Sequence, residues 1–360
     1  MYGWLFTGWG RIVGHPVDLN LALPLTTSIL AFVFALMLFD QWRDRQRPYQ
    51  LAWAIGMVWF GIGAGVEFIG GAVGWNVALY KVWYLVGATL TAGWLGLGTI
   101  YLLRHTLFGY VFAIALVTAG LYAALAQANF HYANSGPAPL IYLGVAIALA
   151  IDVVVLTYLR SDRWADVTAA VVVTGSVAAA VLMVFAPVPA PGYFLDANGI
   201  PVADGLPGYL RLLSPLFNVA GALALILGAA YSAYLFMPKR RLIHYRLSSN
   251  QSGAAYVANL LVALVAVPVN LIASVPGALA GLFRGRLNSR VPATVLIALG
   301  ATIASISNGQ SRFGDTRTFF AAEFFAVVFL FLGYLVSIDA LPVIRVPFTR
   351  WVLRERRVEA

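Results

Sequence analysis

The chain has 360 residues, 61% of them hydrophobic and only 10% charged. Soluble domains run near 45–50% apolar and about 25% charged, so no water-soluble fold hides this much apolar surface and lipid is the expected solvent. The net charge of +9 sits in short basic clusters between apolar runs, which is an orientation signal of membrane proteins and not a nucleic-acid surface.

Residues 1–20 carry Trp4, Phe6 and Trp9 beside glycines and Arg11, and predict an interfacial segment. They do not read as a signal peptide, because the one basic residue follows the apolar stretch. About 20 apolar residues make a span. On that basis spans are expected at 22–40, 50–71, 77–103, 107–127, 138–160, 165–186, 210–237, 291–308 and 318–338. Arg43, Arg45 and Arg47 follow the first, Arg104 the third, Arg160 and Arg163 the fifth, and Lys239, Arg240, Arg241 and Arg246 the seventh. The alternate connections, 72–76, 128–137 and 187–209, contain no Lys or Arg. The alternation predicts an N-terminus outside and a cytoplasmic C-terminus, in the inner membrane of a prokaryote. The long loop 187–209 is punctuated by Pro and Gly, and Asn198-Gly199 predicts a small β-hairpin turn.

The apolar stretch 254–283 needs separate treatment. If it crosses once, Arg284, Arg286 and Arg290 and the basic tail lie outside. If it enters and returns, 18 of the 23 basic residues are cytoplasmic. The expectation is a re-entrant hairpin or a membrane-surface helix pair, broken near Pro268, Asn270 and Pro276; the alternative is a tenth, kinked span. The fold class expected is all-α, a polytopic bundle of about nine spans plus this element. Its parts are the segment 1–20, a seven-helix bundle 21–237, basic stretches 238–290 around the 254–283 hairpin, a two-helix hairpin 291–338 and a basic tail 339–360.

Ionisable groups inside spans are costly, and each is a candidate for function. Glu67 and Lys81 fall at similar depth on adjacent helices, as a structural bridge or as part of a ligand site. Glu323 follows Arg312 and Arg317 in the same outer zone, where a structural ion pair with them is expected. With Trp83, His131 and Arg211 these residues are candidates for one outward-facing polar pocket. Asp152, near the middle of the fifth span, has no basic residue one turn away and is the proton or ion candidate, or else a buried structural group. Gly61 and Gly65, then Gly70 and Gly74, have the small-xxx-small spacing of close helix contacts. There is no cysteine, and His15, His105, His131 and His244 are scattered, so no metal or other cofactor is expected.

Trp53, Glu67, Lys81, Trp83, Tyr84 and Gly87 in residues 50–104, with seven spans up to residue 237, resemble the membrane part of bacterial seven-transmembrane sensors. In that family a similar bundle precedes a histidine kinase or related output domain, and this chain carries two further spans instead. The resemblance implies a sensor-like, non-enzymatic module acting through a membrane or cytoplasmic signalling partner or as a homo-oligomer. Two other functions compete with it. One is a small-solute or proton-coupled transporter using Asp152 and a broken 254–283 helix. The other is a lipid-acting enzyme, for which the sequence offers no HExxH, acidic metal pair or Ser–His arrangement. The partners expected are the bilayer and such a signalling protein, and no nucleic acid.

Overall fold

A computed structural model describes residues 18–247, 253–312, 316–337, 343–345, 349 and 352–355. Most of the expected interfacial segment, all but residues 18–20, and most of the tail lie outside these residues. The helices are α1 (Leu19–Arg45), α2 (Pro48–Val73), α3 (Val77–Leu103), α4 (Phe108–Phe130), α5 (Ala138–Tyr158), α6 (Arg163–Phe185), α7 (Gly208–Phe236), α8 (Gly253–Phe283), α9 (Arg290–Arg312) and α10 (Phe319–Val336). All ten are long and apolar enough to cross a membrane. Each of the nine expected spans falls on one of them. Beyond α10, Val343–Arg345 and Val352–Glu355 pair as two short antiparallel strands.

The helix ends follow from local chemistry. Asp18 caps α1 by accepting the Asn20 N–H at 2.9 Å, and Asn76 caps α3 by accepting that of Leu79 at 3.0 Å. Pro48 opens α2 at a position where its missing N–H costs nothing. Within α3, residues Tyr84–Leu90 form a π-helical stretch, a local widening that occurs mostly at functional positions.

Six helices close a ring. Neighbours run α1–α2–α3–α7–α9–α10 and back to α1. Inside it Phe34, Leu38, Met57, Leu95, Leu225 and Val327, with alanines of α1, α2 and α9, form one buried core. Helices α4, α5 and α6 pack outside the ring on α3 and α7, around Phe108, Phe112 and Trp164. The side chains turned away from both cores are apolar, including Leu140 and Phe185, as lipid-facing positions require. Gly61 and Gly65 sit on the α1–α2 contact, where a Cβ would meet Phe32 at 3.0 Å and Ser28 Oγ at 3.1 Å.

One end of the bundle carries the long loop and the other carries the basic connections. The loop end holds the expected turn: Leu195 bridges Pro201, and Gly199 takes φ +76°. Helix α8 differs from expectation. It is continuous over 31 residues, with Pro268 and Pro276 inside it, and has no turn to make a hairpin. Each proline removes one backbone hydrogen bond, and the unbroken helix on either side outweighs that loss. Its contacts lie at the basic end throughout. Tyr256 shares a 2.8 Å hydroxyl contact with Tyr110 at the start of α4. Asn270 accepts the N–H groups of Leu242 and Ile243 at 2.7 and 3.0 Å, just past the end of α7. Ala278 packs with Met237 and with Val291 at the start of α9. Tyr256 and Ala278 are about 33 Å apart along the helix axis, yet both touch the same end of the bundle.

Candidate functional site: a carboxyl pair in the six-helix ring

The ring encloses a cavity of about 70 Å³ in its loop-end half. Glu67 of α2 and Glu323 of α10, the two helices that flank α1 in the ring, both enter it, and their carboxyls interact directly. Glu67 is 3% exposed. Its Oε1 accepts the Trp83 indole N–H at 2.9 Å. The Oε2 atoms of Glu67 and Glu323 are both buried without a hydrogen-bond partner. Two ionised carboxylates are acceptors only, so neither can satisfy the other unless a proton or cation stands between them.

The rest of the wall is neutral. Thr91 of α3, Asn218 of α7 and Ser305 and Asn308 of α9 line the polar part. No Lys or Arg lines it among the described residues. The π-helical stretch forms one side through Gly87. Its geometry is held by side chains: Thr91 Oγ1 donates to the Val86 carbonyl at 2.8 Å, and Ser214 Oγ and Asn218 Nδ2 donate to that of Ala88 at 2.6 and 3.3 Å. Toward the basic end the cavity stops at Leu95, Leu225 and Leu330. These three leucines also form the top of a second, apolar cavity of about 70 Å³ reaching Thr294, Ser232 and Tyr334.

Of the eight residues expected in one polar pocket, the structure brings Glu67, Trp83 and Glu323 together. Lys81 is elsewhere: its Nζ donates to the Val184 carbonyl at 2.9 Å, and the expected Glu67–Lys81 bridge is not formed. The reason is helical phase. Lys81 and Trp83 are two residues apart, about 200° around the axis, so one of them alone can face α2. His131 is the left-handed C-cap of α4 and is exposed. Arg211 lies 4.1 Å over the Tyr132 ring and bridges Asp204 at 3.2 Å. Arg317 is exposed, and the Arg312 side chain lies outside the described residues. Asp152 does not line the cavity; its Oδ2 is buried on α5 without a partner. The sequence reading passed over Thr91, Asn218, Ser305 and Asn308. Two asparagines inside apolar spans, and a Ser–Asn pair three residues apart on one helix face, were the available signal.

The long loop covers this end of the ring. Tyr80 donates to the Val202 carbonyl, and Ile200 packs on Phe319, Phe320 and Leu23. Asp196 ties the loop to the start of α10. It accepts the N–H groups of Asn198 and Ile200, both at 2.8 Å, and the Thr316 hydroxyl. Partial burial pushes the Asp196 carboxyl up, but these hydrogen bonds outweigh burial and hold it below the usual carboxylate value. A lowered folded value stabilises above the ordinary carboxylate range, and the contribution is lost as pH falls through it. Thr316→Val removes a hydrogen bond to a carboxylate that solvent largely screens, and should loosen the loop by about 1 kcal/mol at neutral pH, read as faster proteolysis within 190–205. At a pH low enough to protonate Asp196 the wild type and the variant should converge; equal protection at neutral pH would dismiss the tie.

No protein-family model, curated protein or solved structure matches this chain.

Proposed function

We propose that the protein is a sensor-like, multi-pass inner-membrane module whose six-helix ring takes up one small cation, or a proton, between Glu67 and Glu323. The observation that carries this reading is the buried pair of carboxyl oxygens without donors, facing one cavity with no basic residue on its described wall. The basic end is cytoplasmic under the charge rule, so the pocket lies in the outer half beneath the external loop. A dead end at the leucine layer favours reception over passage. The resemblance of residues 50–104 to seven-transmembrane sensors supports the same reading, because Glu67 and Gly87 from that stretch line the cavity and Trp83 holds the Glu67 carboxyl. Occupancy would act on the π-helical stretch and pass to a signalling partner or a second copy.

The topology that goes with it is nine spans, N-terminus outside and C-terminus inside, with α8 lying along the cytoplasmic end. On the cysteine-free background, a Cys at Asn288 should react with a membrane-impermeant maleimide only after the inner face is opened. Labelling in intact cells would refute this topology.

Binding is tested by thermal unfolding of the detergent-purified protein in Na⁺, K⁺ or methylammonium against choline at equal ionic strength. A cation at 100 times its Kd should stabilise by about 2.7 kcal/mol, and Glu323→Gln should abolish the response. If stability is indifferent to cation and to pH, the reading fails. The second cavity on the far side of the leucine layer supports a second reading, a transporter using the Glu67–Glu323 pair and not Asp152. Cation efflux from liposomes that is lost in Glu323→Gln would favour it over reception.

A further inference from the structure

At the basic end, outside the ring, two apolar grooves meet along α8. One, of about 330 Å³, lies between α4, α7 and α8. The other, of about 480 Å³, lies between α4, α5 and α8. Both are bounded by Tyr110, Ile114, Leu260 and Leu264, so they are two branches leaving one point. Ile114 and Leu264 are exposed, so the branches open on the bilayer. Their linings are apolar, which makes ordered water a poor occupant.

Under the topology proposed above the branch point lies at headgroup depth, and it is chemically different. Tyr110 and Tyr256 share their hydroxyl contact there, and Tyr231, Tyr234 and Tyr245 line the first branch. Tyrosine at this level marks the membrane interface. Arg160 lies within electrostatic reach of both Tyr110 and Tyr231, and Arg241 of Tyr245. Both arginines are exposed. Two apolar branches leaving one tyrosine-bearing junction, with Arg160 near Tyr110 and Arg241 near Tyr245 of the first branch, match the shape and charge of a lipid with two acyl chains and an anionic head. A protein helix, about 10–12 Å across with side chains, is too thick to divide between two branches on either side of Leu260 and Leu264.

We propose that this fork is a binding site for one anionic diacyl phospholipid of the inner leaflet, a chain in each branch and the phosphate on Arg160 and Arg241. The lipid would fix α8 against α4, α5 and α7. The site shares no residue with the carboxyl cavity, and each stands or falls without the other.

Native mass spectrometry of the delipidated full chain tests it, with phosphatidylglycerol, phosphatidylcholine, single-chain lysophosphatidylglycerol and glycerol phosphate as probes. One phosphatidylglycerol should be retained per chain, at least tenfold tighter than either phosphatidylcholine or the single-chain lipid. Arg160→Gln with Arg241→Gln should remove the tenfold preference for the anionic head. Ile151→Trp, at an exposed position on the second branch, should remove the preference for two chains while keeping that for charge. Arg284→Gln with Arg286→Gln, exposed basic residues past the end of α8, should change neither. Equal binding of phosphatidylglycerol and phosphatidylcholine would overturn the proposal. So would glycerol phosphate competing as well as the lipid, or an equal loss in the Arg284 and Arg286 variant.

Discussion

Gly221→Leu is expected to prevent assembly of the ring, and Gly221→Ala to weaken it by about 1–3 kcal/mol, the usual range for overpacking. At this position α7 and α3 touch backbone to backbone. A Cβ on Gly221 would lie 2.2 Å from the Ala92 carbonyl oxygen and 2.7 Å from the Gly93 nitrogen. A Cβ on Gly96 would lie 2.6 Å from the Gly221 Cα. Backbone cannot rotate out of the way as a flexible side chain can, so the helices must separate. Separation also acts one and two turns earlier on α7, where Asn218 and Ser214 hold the Ala88 carbonyl of the π-helical stretch. The damage would thus reach the cavity wall as well as the packing. Gly144→Ala is the matching control: a Cβ there meets nothing within 4 Å, and helix propensity alone makes the change neutral to slightly stabilising. Thermal unfolding in detergent reads the contrast, and a Gly221→Ala protein as stable as Gly144→Ala would remove the close approach from the account.

That contact was not legible in the sequence, although its glycines were. The spacing of Gly61 and Gly65 pointed to a close helix neighbour, and α1 is that neighbour. Gly96 and Gly221 lie 125 residues apart, and no periodicity in either helix states which other helix it meets. The spans themselves were legible because lipid forces each segment to satisfy its own backbone, so the signal is contained within one stretch of chain. The Asn198-Gly199 turn was legible for the same reason of locality. Helix α8 shows the limit of the charge rule. A hairpin that enters and returns, and a single helix lying along one end, leave the same basic clusters on the same side. Charge therefore separates both from a crossing helix and cannot separate them from each other. The prolines suggested a break, but a break needs other partners for the freed backbone groups, and the neighbouring helix turns hold α8 straight through them.

The candidate site was half legible. Glu67 and Glu323 are conspicuous because a carboxyl in a span is rare and costly. Their expected partners were basic, since opposite charge is the ordinary remedy for burial. Instead each carboxyl meets the other, because ring closure brings α10 against α1 on the side away from α2, and that closure depends on α9 packing along α7. A pairing of helices so distant in the chain leaves no trace in composition or spacing. Asp152 stood out by the same rule of rarity, yet α5 lies outside the ring and carries it away from the cavity.

The two carboxyls differ in what they support, which gives an opposed pair of outcomes. Glu323→Leu is expected to raise the thermal midpoint in cation-free buffer while abolishing the cation response. Glu67→Leu is expected to abolish the response as well, but to lower the midpoint. Replacing one of two buried, like-charged carboxyls by an apolar side chain removes its desolvation cost and the repulsion between the two. For Glu323 the offset is confined to its contact with the Glu67 carboxyl, since its Oε2 has no donor and the wall around it includes Leu330. For Glu67 the loss of the Oε1 acceptor leaves the buried Trp83 indole N–H without a partner, at a cost of about 1–3 kcal/mol. Trp83 in turn stacks on Tyr80 and meets Tyr84 edge-on, so a displaced indole disturbs the entry to the π-helical stretch. Glu67→Gln separates the two effects, because its amide oxygen still accepts from Trp83 while its charge is gone. It should lose the cation response with a midpoint close to that of the wild type. A stability gain at Glu323 that comes with a lost response is the signature of a site kept for binding at the expense of packing. Equal destabilisation by Glu323→Leu and Glu67→Leu, or a cation response that survives either change, would reduce the pair to a structural contact.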